Sequence, residues 1–374
     1  MDFAFNEEQT DLQGLARQIL DAEVTHERLK EIEAGEENFD RELWAKLAEA
    51  GLLGIALPEA HGGGGYGFLE AAIVLEQIGR TVAPVPYLST VVDGALPIAR
   101  FGSDALQKAL LPGVASGTTR LTAALVEAGG DPRQPLTTAR RDGDAWVLDG
   151  EKTCVPDGML ADRVLVPATT DDDRIIVAVV DPSAPGVTRE RQQTTSGHAE
   201  ALLRLQDVRV ANADLVGDAD SGAVVLEWTL ERATAALCAL AIGVCEEAVR
   251  MTAEYTKTRE QFERPIATFQ AVGQRAADAY IDTEAIRLTA WQAIWRLAEE
   301  LSAAAEVAVA KFWAAEGGQR VVHAAQHLHG GMGVDRDYPL FRYFLLAKQI
   351  ELTLGGTTPQ LLALGRILAA EPVG

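Results

Sequence analysis

The 374-residue chain reads as a mainly α-helical protein interrupted by one β-rich domain. Three observations predict this. Helical periodicity fills the first third of the chain and returns after about Gly222. Between the two lie short β-type runs separated by Gly, Asp and Pro. Hydrophobic residues make up 48% of the chain, with alanine and leucine abundant, as in a helical globular protein. The expected domains are 1–117 (N-terminal, helical), 118–217 (middle, β) and 218–374 (C-terminal, helical bundle).

In the first domain, Asn6 followed by Gln9 makes a capping-box start, with Leu12, Leu15, Ala16 and Ile19 on one face. Asp40 caps a second helix through Leu43, Leu47 and Ala48, ended by Gly51. Pro58 and Gly62 to Gly65 read as a loop, and Phe68–Ile78 and Ser103–Leu111 as further helices. The glycine run is not followed by Lys-Ser/Thr and has no strand–turn–helix setting, so it does not read as a P-loop. The β domain is expected from Arg120–Val126, Leu136–Arg140, Ala145–Leu148, Arg163–Val166, Ile175–Val180 and Ala201–Val210, closing near Gly217. Two long helical patterns follow, about Gly222 to Thr256 and Pro265 to Glu299; proline is tolerated at a helix's first turn, so Pro265 is expected to start the second.

The formal charge of −22, from 33 basic and 55 acidic residues, argues against nucleic acid or an anionic membrane as partner. Cys238 and Cys245 lie seven apart on one helical face and read as buried; with Cys154 they show no disulfide or zinc spacing. No signal peptide or membrane-spanning run is read, so a cytoplasmic protein is expected. Strands do not alternate with helices and no GxGxxG occurs, which excludes a Rossmann unit.

The stretch richest in chemistry is the link between the long helices, Arg259-Glu260-Gln261-Phe262-Glu263-Arg264-Pro265-Ile266 with Phe269-Gln270. A cation beside an aromatic on a rigid turn suits a ligand carrying phosphate and a ring, although a solvated arginine on a helical hairpin accounts for the same residues. His323, His327 and His329 form a helix-end cluster before Gly330-Gly331; no acid or cysteine joins them at metal-ligand spacing.

Arg-x-Gln-Phe-x-x-Pro-Ile-x-x-Phe-Gln resembles the signature of the acyl-CoA dehydrogenase family. The resemblance covers nearly the whole chain: Trp44 to Pro58 with Gly62-Gly63, Gly150-Glu151-Lys152, Ala161-Asp162, Asp207 to Val210 with Gly217, and Gly330-Gly331-Met332-Gly333 follow in the family's order. It implies the three-domain fold of that family: an N-terminal helical domain, a middle β-barrel and a C-terminal four-helix bundle. It also implies FAD as cofactor, an acyl-CoA thioester as substrate and an electron-transfer flavoprotein as acceptor. The family's arginine at the position of Arg259 reaches the FAD pyrophosphate of a neighbouring subunit. Phe262 and Gln270 are implied for the adenosine half, and His327 stands where a glutamine is usual. Gly330 and Gly331 are implied to let backbone approach the FAD phosphates.

Family chemistry needs a carboxylate of raised basicity to remove the α-proton of the thioester. Many members carry it in a C-terminal Tyr-Glu-Gly-Thr; here Thr353-Leu354-Gly355-Gly356-Thr357-Thr358 holds no acid. A minority place it on the first long helix before an arginine, which makes Glu231, followed by Arg232, the candidate base. Two β-domain segments depart from the family's pattern. Its Thr-Glu-Pro loop appears as Val126-Glu127-Ala128-Gly129-Gly130-Asp131, and its flavin-facing Trp-Ile-Thr as Cys154-Val155-Pro156. Pro156 has no N–H to offer a flavin.

A subunit that keeps the reaching half and loses the cradling half can work inside a hetero-oligomer. The chain is similar to subunits of actinobacterial heterotetrameric acyl-CoA dehydrogenases acting on bulky CoA esters such as sterol side chains; Met251 to Tyr255, Asp278 to Asp282 and Leu354 to Thr358 carry that similarity. Expected partners are therefore a homologous subunit (α2β2) or a second copy of the chain. Two alternatives stand beside a desaturating subunit: a non-catalytic partner that completes a companion's FAD site, and a flavin oxidase or monooxygenase on the same fold.

Overall fold

The structure is a computed structural model, and it describes residues 4–370. The helices of the first third are α1 (Glu7–Glu23), α2 (His26–Glu33), α3 (Arg41–Glu49), α4 (Phe68–Thr81), α5 (Leu96–Phe101) and α6 (Asp104–Ala115), with a π-helical stretch Leu88–Ala95 running into α5. Seven strands follow: β1 (Leu121–Ala123), β2 (Thr138–Asp142), β3 (Ala145–Val155), β4 (Arg163–Thr170), β5 (Ile175–Val180), β6 (Val187–Arg191) and β7 (Ala201–Ala211). The chain ends in α7 (Gly222–Thr258), a two-stranded ribbon of β8 (Glu260–Gln261) and β9 (Arg264–Pro265), then α8 (Gln270–Ala298), α9 (Ala304–His329), α10 (Leu340–Leu352) and α11 (Thr357–Ala370). This is the expected mainly α chain with a central β domain. Among the described residues no helix is long and apolar enough to cross a membrane.

The chain packs as two compact units. Among the described residues, one gathers those up to His26, Ala72–Ala83 and those from Thr234; the other gathers Glu27–Ala71 and Pro84–Ala233.

In the unit holding the β domain, the sheet order is β1-β4-β2-β3-β7-β6, with β5 paired on β4. Strand β7 alternates inward Leu203, Leu205, Val208 and Val210 with outward Arg204, Gln206 and Arg209. The alternation steps by one where Leu148 pairs Val208 and Gly150 pairs Leu205, a bulge at Asp207, whose N–H donates to the Asp149 carboxylate at 2.8 Å. Trp146, Val164, Val166, Ile176 and Ala178 complete the core beneath the sheet. Glu127, in the segment that stands for the family's Thr-Glu-Pro loop, is buried, 2.6 Å from the ammonium of buried Lys152. Burial opposes its charge, but bonds from Lys152 and Thr137 outweigh that and hold the carboxyl below its usual value. Asp40 caps α3 as expected, accepting Leu43 N–H at 3.1 Å, and is also held by Arg28 at 2.8 Å.

In the other unit, Asn6 and Gln9 form the expected capping box, at 2.8 and 3.1 Å. The buried stripe of α1 is Leu12, Ala16 and Leu20, while Leu15 is 41% exposed. Strict four-residue spacing turns the face away from Leu15, which corrects the expected stripe. Helices α4 and α7 meet backbone to backbone: a Cβ on Gly79 would lie 2.2 Å from Leu240 O, and one on Gly243 would lie 2.0 Å from Glu76 O. Cys238 and Cys245 are buried on α7. Asp282 of α8 takes a bidentate bond from Arg320 of α9, at 2.8 and 2.6 Å.

Pro265 does not start the second long helix. It sits in β9 with ψ near 135°, and α8 begins at Gln270 after one 3₁₀ turn, Ile266–Thr268. Ile266 N–H donates to Arg259 O at 2.8 Å, so the link is a closed hairpin.

Candidate active site

Arg259 follows α7 directly, its N–H bonded to Tyr255 O at 2.8 Å. Its side chain is exposed, and among the described residues no carboxylate pairs with it. The hairpin tip is Phe262–Glu263, with φ of 56° and 63°. Left-handed backbone at two non-glycine residues costs about 1 kcal/mol each, and strain of this kind concentrates at functional sites. Phe262 stands 88% exposed at that tip. Its ring meets Phe269 edge-on at 6.1 Å, and the Arg264 guanidinium lies over the Phe269 ring at 4.2 Å. Gln270 is exposed at the first turn of α8.

A second exposed surface follows α9. His327 is exposed, and its carbonyl accepts the N–H of Gly330, which has φ 60°. A Cβ on Gly330 or Gly331 would meet nothing within 4 Å. Positive φ accounts for glycine at 330. At 331 neither backbone angle nor internal packing demands it, and the space above that backbone is open. His329 is buried between the two surfaces' helix ends, stacked on Tyr255 with ring centroids 4.3 Å apart.

Glu231 belongs to the other unit, in the early turns of α7. It is half-buried, and among the described residues no group hydrogen-bonds its carboxylate. Burial raises its pKa, Glu227 one turn earlier adds to the rise, and Arg232 and Arg133 oppose it. Arg232 turns toward Trp228, its guanidinium 3.7 Å from the ring centre, and Arg133 is engaged with Glu227 at 2.9 Å. Glu231 is thus a carboxylate of raised basicity whose neighbouring cations are occupied elsewhere.

In the same unit, the segment expected to face a flavin has its polar groups satisfied from within. Cys154 N–H donates to Gln192 Oε1 at 2.7 Å, and the Gln192 amide donates to Thr153 Oγ1 at 2.9 Å. Pro156 O accepts Thr122 Oγ1–H at 2.6 Å, and Asp157 takes the hydroxyl of buried Ser89 at 2.6 Å. Beside Gln192 opens a cavity of about 510 Å³, bordered by Glu36, Arg191, Thr194 and His198.

The acid-free turn Thr353 to Thr358 is held by Lys311, fully buried, whose ammonium donates to Glu351 O at 3.2 Å and Gly355 O at 2.9 Å. Burial pushes that lysine down to about 8.

Arg259, Phe262, Gln270, His327, Gly330 and Gly331 therefore fall in one compact unit, on two turns at the ends of α7 and α9, while Glu231 falls in the other. Gln192 carried no motif, and the pairing of His329 with Tyr255 needs a tertiary contact that spacing cannot reveal.

Compared with known proteins, residues 6–118, 126–208 and 220–368 match the family models for the N-terminal, middle and C-terminal domains of acyl-CoA dehydrogenase. Acyl-CoA dehydrogenase FadE27 of Mycobacterium tuberculosis (strain ATCC 25618 / H37Rv) is 46% identical across the full length of both chains. Among solved structures, a chain of the ChsE4–ChsE5 complex from Mycobacterium tuberculosis superposes with a TM-score of 0.94 at 46% identity, covering all of both chains. A chain of the Tcur3481–Tcur3483 steroid ACAD (G363A variant) gives 0.91 at 48%, covering 97% of this chain and 98% of that one.

Proposed function

The chain belongs to the acyl-CoA dehydrogenase family, and on that footing we propose that it serves FAD-dependent α,β-desaturation of an acyl-CoA thioester as one subunit of a hetero-oligomer. The observation that carries this reading is the outward-facing half-site: an unpaired Arg259, a strained and 88% exposed Phe262, and a glycine turn open above Gly331. Strain and exposure of this kind are compensated when the groups meet something outside the chain. Helix α11 agrees, since it is rich in leucine and none of its residues is buried.

These residues fit the phosphate and adenosine half of FAD. Arg259 would give charge-assisted bonds to the pyrophosphate, Gly330 and Gly331 would admit its oxygens to the backbone, and Phe262, Gln270 and His327 would border the adenosine. Bound FAD supplies the acceptor for the β-hydride. Glu231 would take the α-proton on a carboxylate oxygen, its basicity raised by burial and by Glu227. A bulky, steroid-like acyl group is the substrate class suggested by the likeness to the Tcur3481–Tcur3483 steroid ACAD, and an electron-transfer flavoprotein is the acceptor that the family suggests.

A second reading rests on Gln192. With Cys154 N–H already bonded to it, the ring-facing segment offers a flavin little. The chain would then be a non-catalytic partner, completing the FAD site of a homologous catalytic chain. The two readings separate on purification with and without that homologue. An assembly with that homologue that holds flavin, bleaches with an acyl-CoA and loses activity in Glu231→Gln fits the first. A colourless chain that gains flavin only with its partner, and whose assembly keeps full activity in Glu231→Gln, fits the second.

A further inference from the structure

His329 ends α9 with its ring 3% exposed. The ring lies on Tyr255 at 4.3 Å and 23°, Nδ1 is 2.8 Å from Ala325 O, and Nε2 is 3.1 Å from the Tyr338 hydroxyl. Tyr338 also meets Tyr255 edge-on at 6.3 Å. A carbonyl only accepts, so Nδ1 carries a proton, and in the neutral ring Nε2 accepts from the Tyr338 O–H. One helical turn beyond Tyr255 stands Arg259; the residue after His329 is Gly330.

We infer that His329, as the neutral Nδ1–H imidazole, is a positioning residue that clamps the Arg259 end of α7 to the Gly330–Gly331 turn through Tyr255 and Tyr338. Cation and glycine backbone are then presented together to one phosphate group, with no contact between His329 and the ligand. The inference rests on the phosphate-facing reading of that surface. Burial lowers the imidazole's pKa, consistent with the neutral form. The titratable groups around it are the phenols of Tyr255 on α7 and Tyr338 on the loop, and Arg250 of α7 acts on Tyr338. None of these compensates a positive charge, so acid should loosen the clamp.

The test uses the FAD-loaded assembly with His329→Phe, Tyr338→Phe and Arg259→Ala. Tyr338→Phe removes a single oxygen, so it reports even if His329→Phe fails to fold. Both clamp variants are expected to release FAD about tenfold faster and, in FAD-free protein, to exchange the amides of 259–266 faster while amides in the first half of α7 keep wild-type rates. Wild-type FAD retention should fall as the pH is lowered into the acid range, and His329→Phe should lack that fall. Release within twofold of wild type in both clamp variants, with Arg259→Ala shedding FAD, overturns the inference and leaves the phosphate-facing reading standing. If Arg259→Ala also keeps its FAD, that reading fails and the inference with it.

Discussion

Gln192 Oε1 accepts the backbone N–H of Cys154 at 2.7 Å, and the same amide donates to Thr153 Oγ1 at 2.9 Å. One glutamine thus consumes the polar groups of the strand end where the family resemblance implies a flavin ring. Replacing it should expose what it holds. Gln192→Leu is expected to cost about 1–2 kcal/mol of stability from two lost hydrogen bonds, read as a lower urea midpoint at unchanged slope. An unchanged midpoint would show that these bonds do not fix the segment.

Glu76 gives the clearest pH signature. It is 3% exposed on α4, and burial, with Glu246 adding and Arg287 opposing, pushes its carboxyl up to about 7. A carboxyl raised above its unfolded value binds more protons in the folded state, so stability is full below about 4.5 and declines as pH rises toward 7. The loss across that window is of order 3 kcal/mol. Glu76→Gln should flatten the window in urea unfolding at pH 5 and pH 8. The same decline in the variant would assign it to other groups.

Glu231→Gln is expected to lower desaturation about 10²–10⁴-fold in the assembled enzyme while FAD content is unchanged. Glu227 helps to raise the pKa of Glu231, so Glu227→Gln should move the acid limb of the kcat/KM profile to lower pH. A limb that stays in place, with Glu231→Gln fully active, moves the base to another chain.

The hairpin tip predicts opposite effects on stability and binding. Phe262→Gly relieves one left-handed non-glycine residue, and the chain should gain up to about 1 kcal/mol. FAD affinity of the assembly should fall together with the exposed ring. Equal or tighter FAD binding by Phe262→Gly would remove Phe262 from the site.

The elements that repeat a local rule were legible in the sequence. Asn6 with Gln9 and Asp40 with Leu43 are caps written within four residues, and β7 alternates as its side chains require. What was not legible depended on distant partners or on backbone angles. Pro265 reads equally as a helix start and as a strand residue, and the bond from Ile266 N–H to Arg259 O decides between them. Leu15 lost its place on the buried stripe because the face of α1 is set by its neighbours. Glu127 looked like a loop acid until its partner Lys152, 25 positions away, came within 2.6 Å. For the site, residue types could nominate Arg259 and Glu231, but only the fold shows that Phe262 stands exposed at a hairpin tip and that Gln192 has taken the Cys154 N–H.

The central claim is that this chain offers its cofactor contacts outward. It is tested most directly by FAD-to-chain stoichiometry, from the visible spectrum and native mass of the purified assembly. The prediction is a colourless chain when alone and an assembly with a homologous partner that holds fewer FAD molecules than chains. One FAD for every chain, in this protein purified alone, would contradict it.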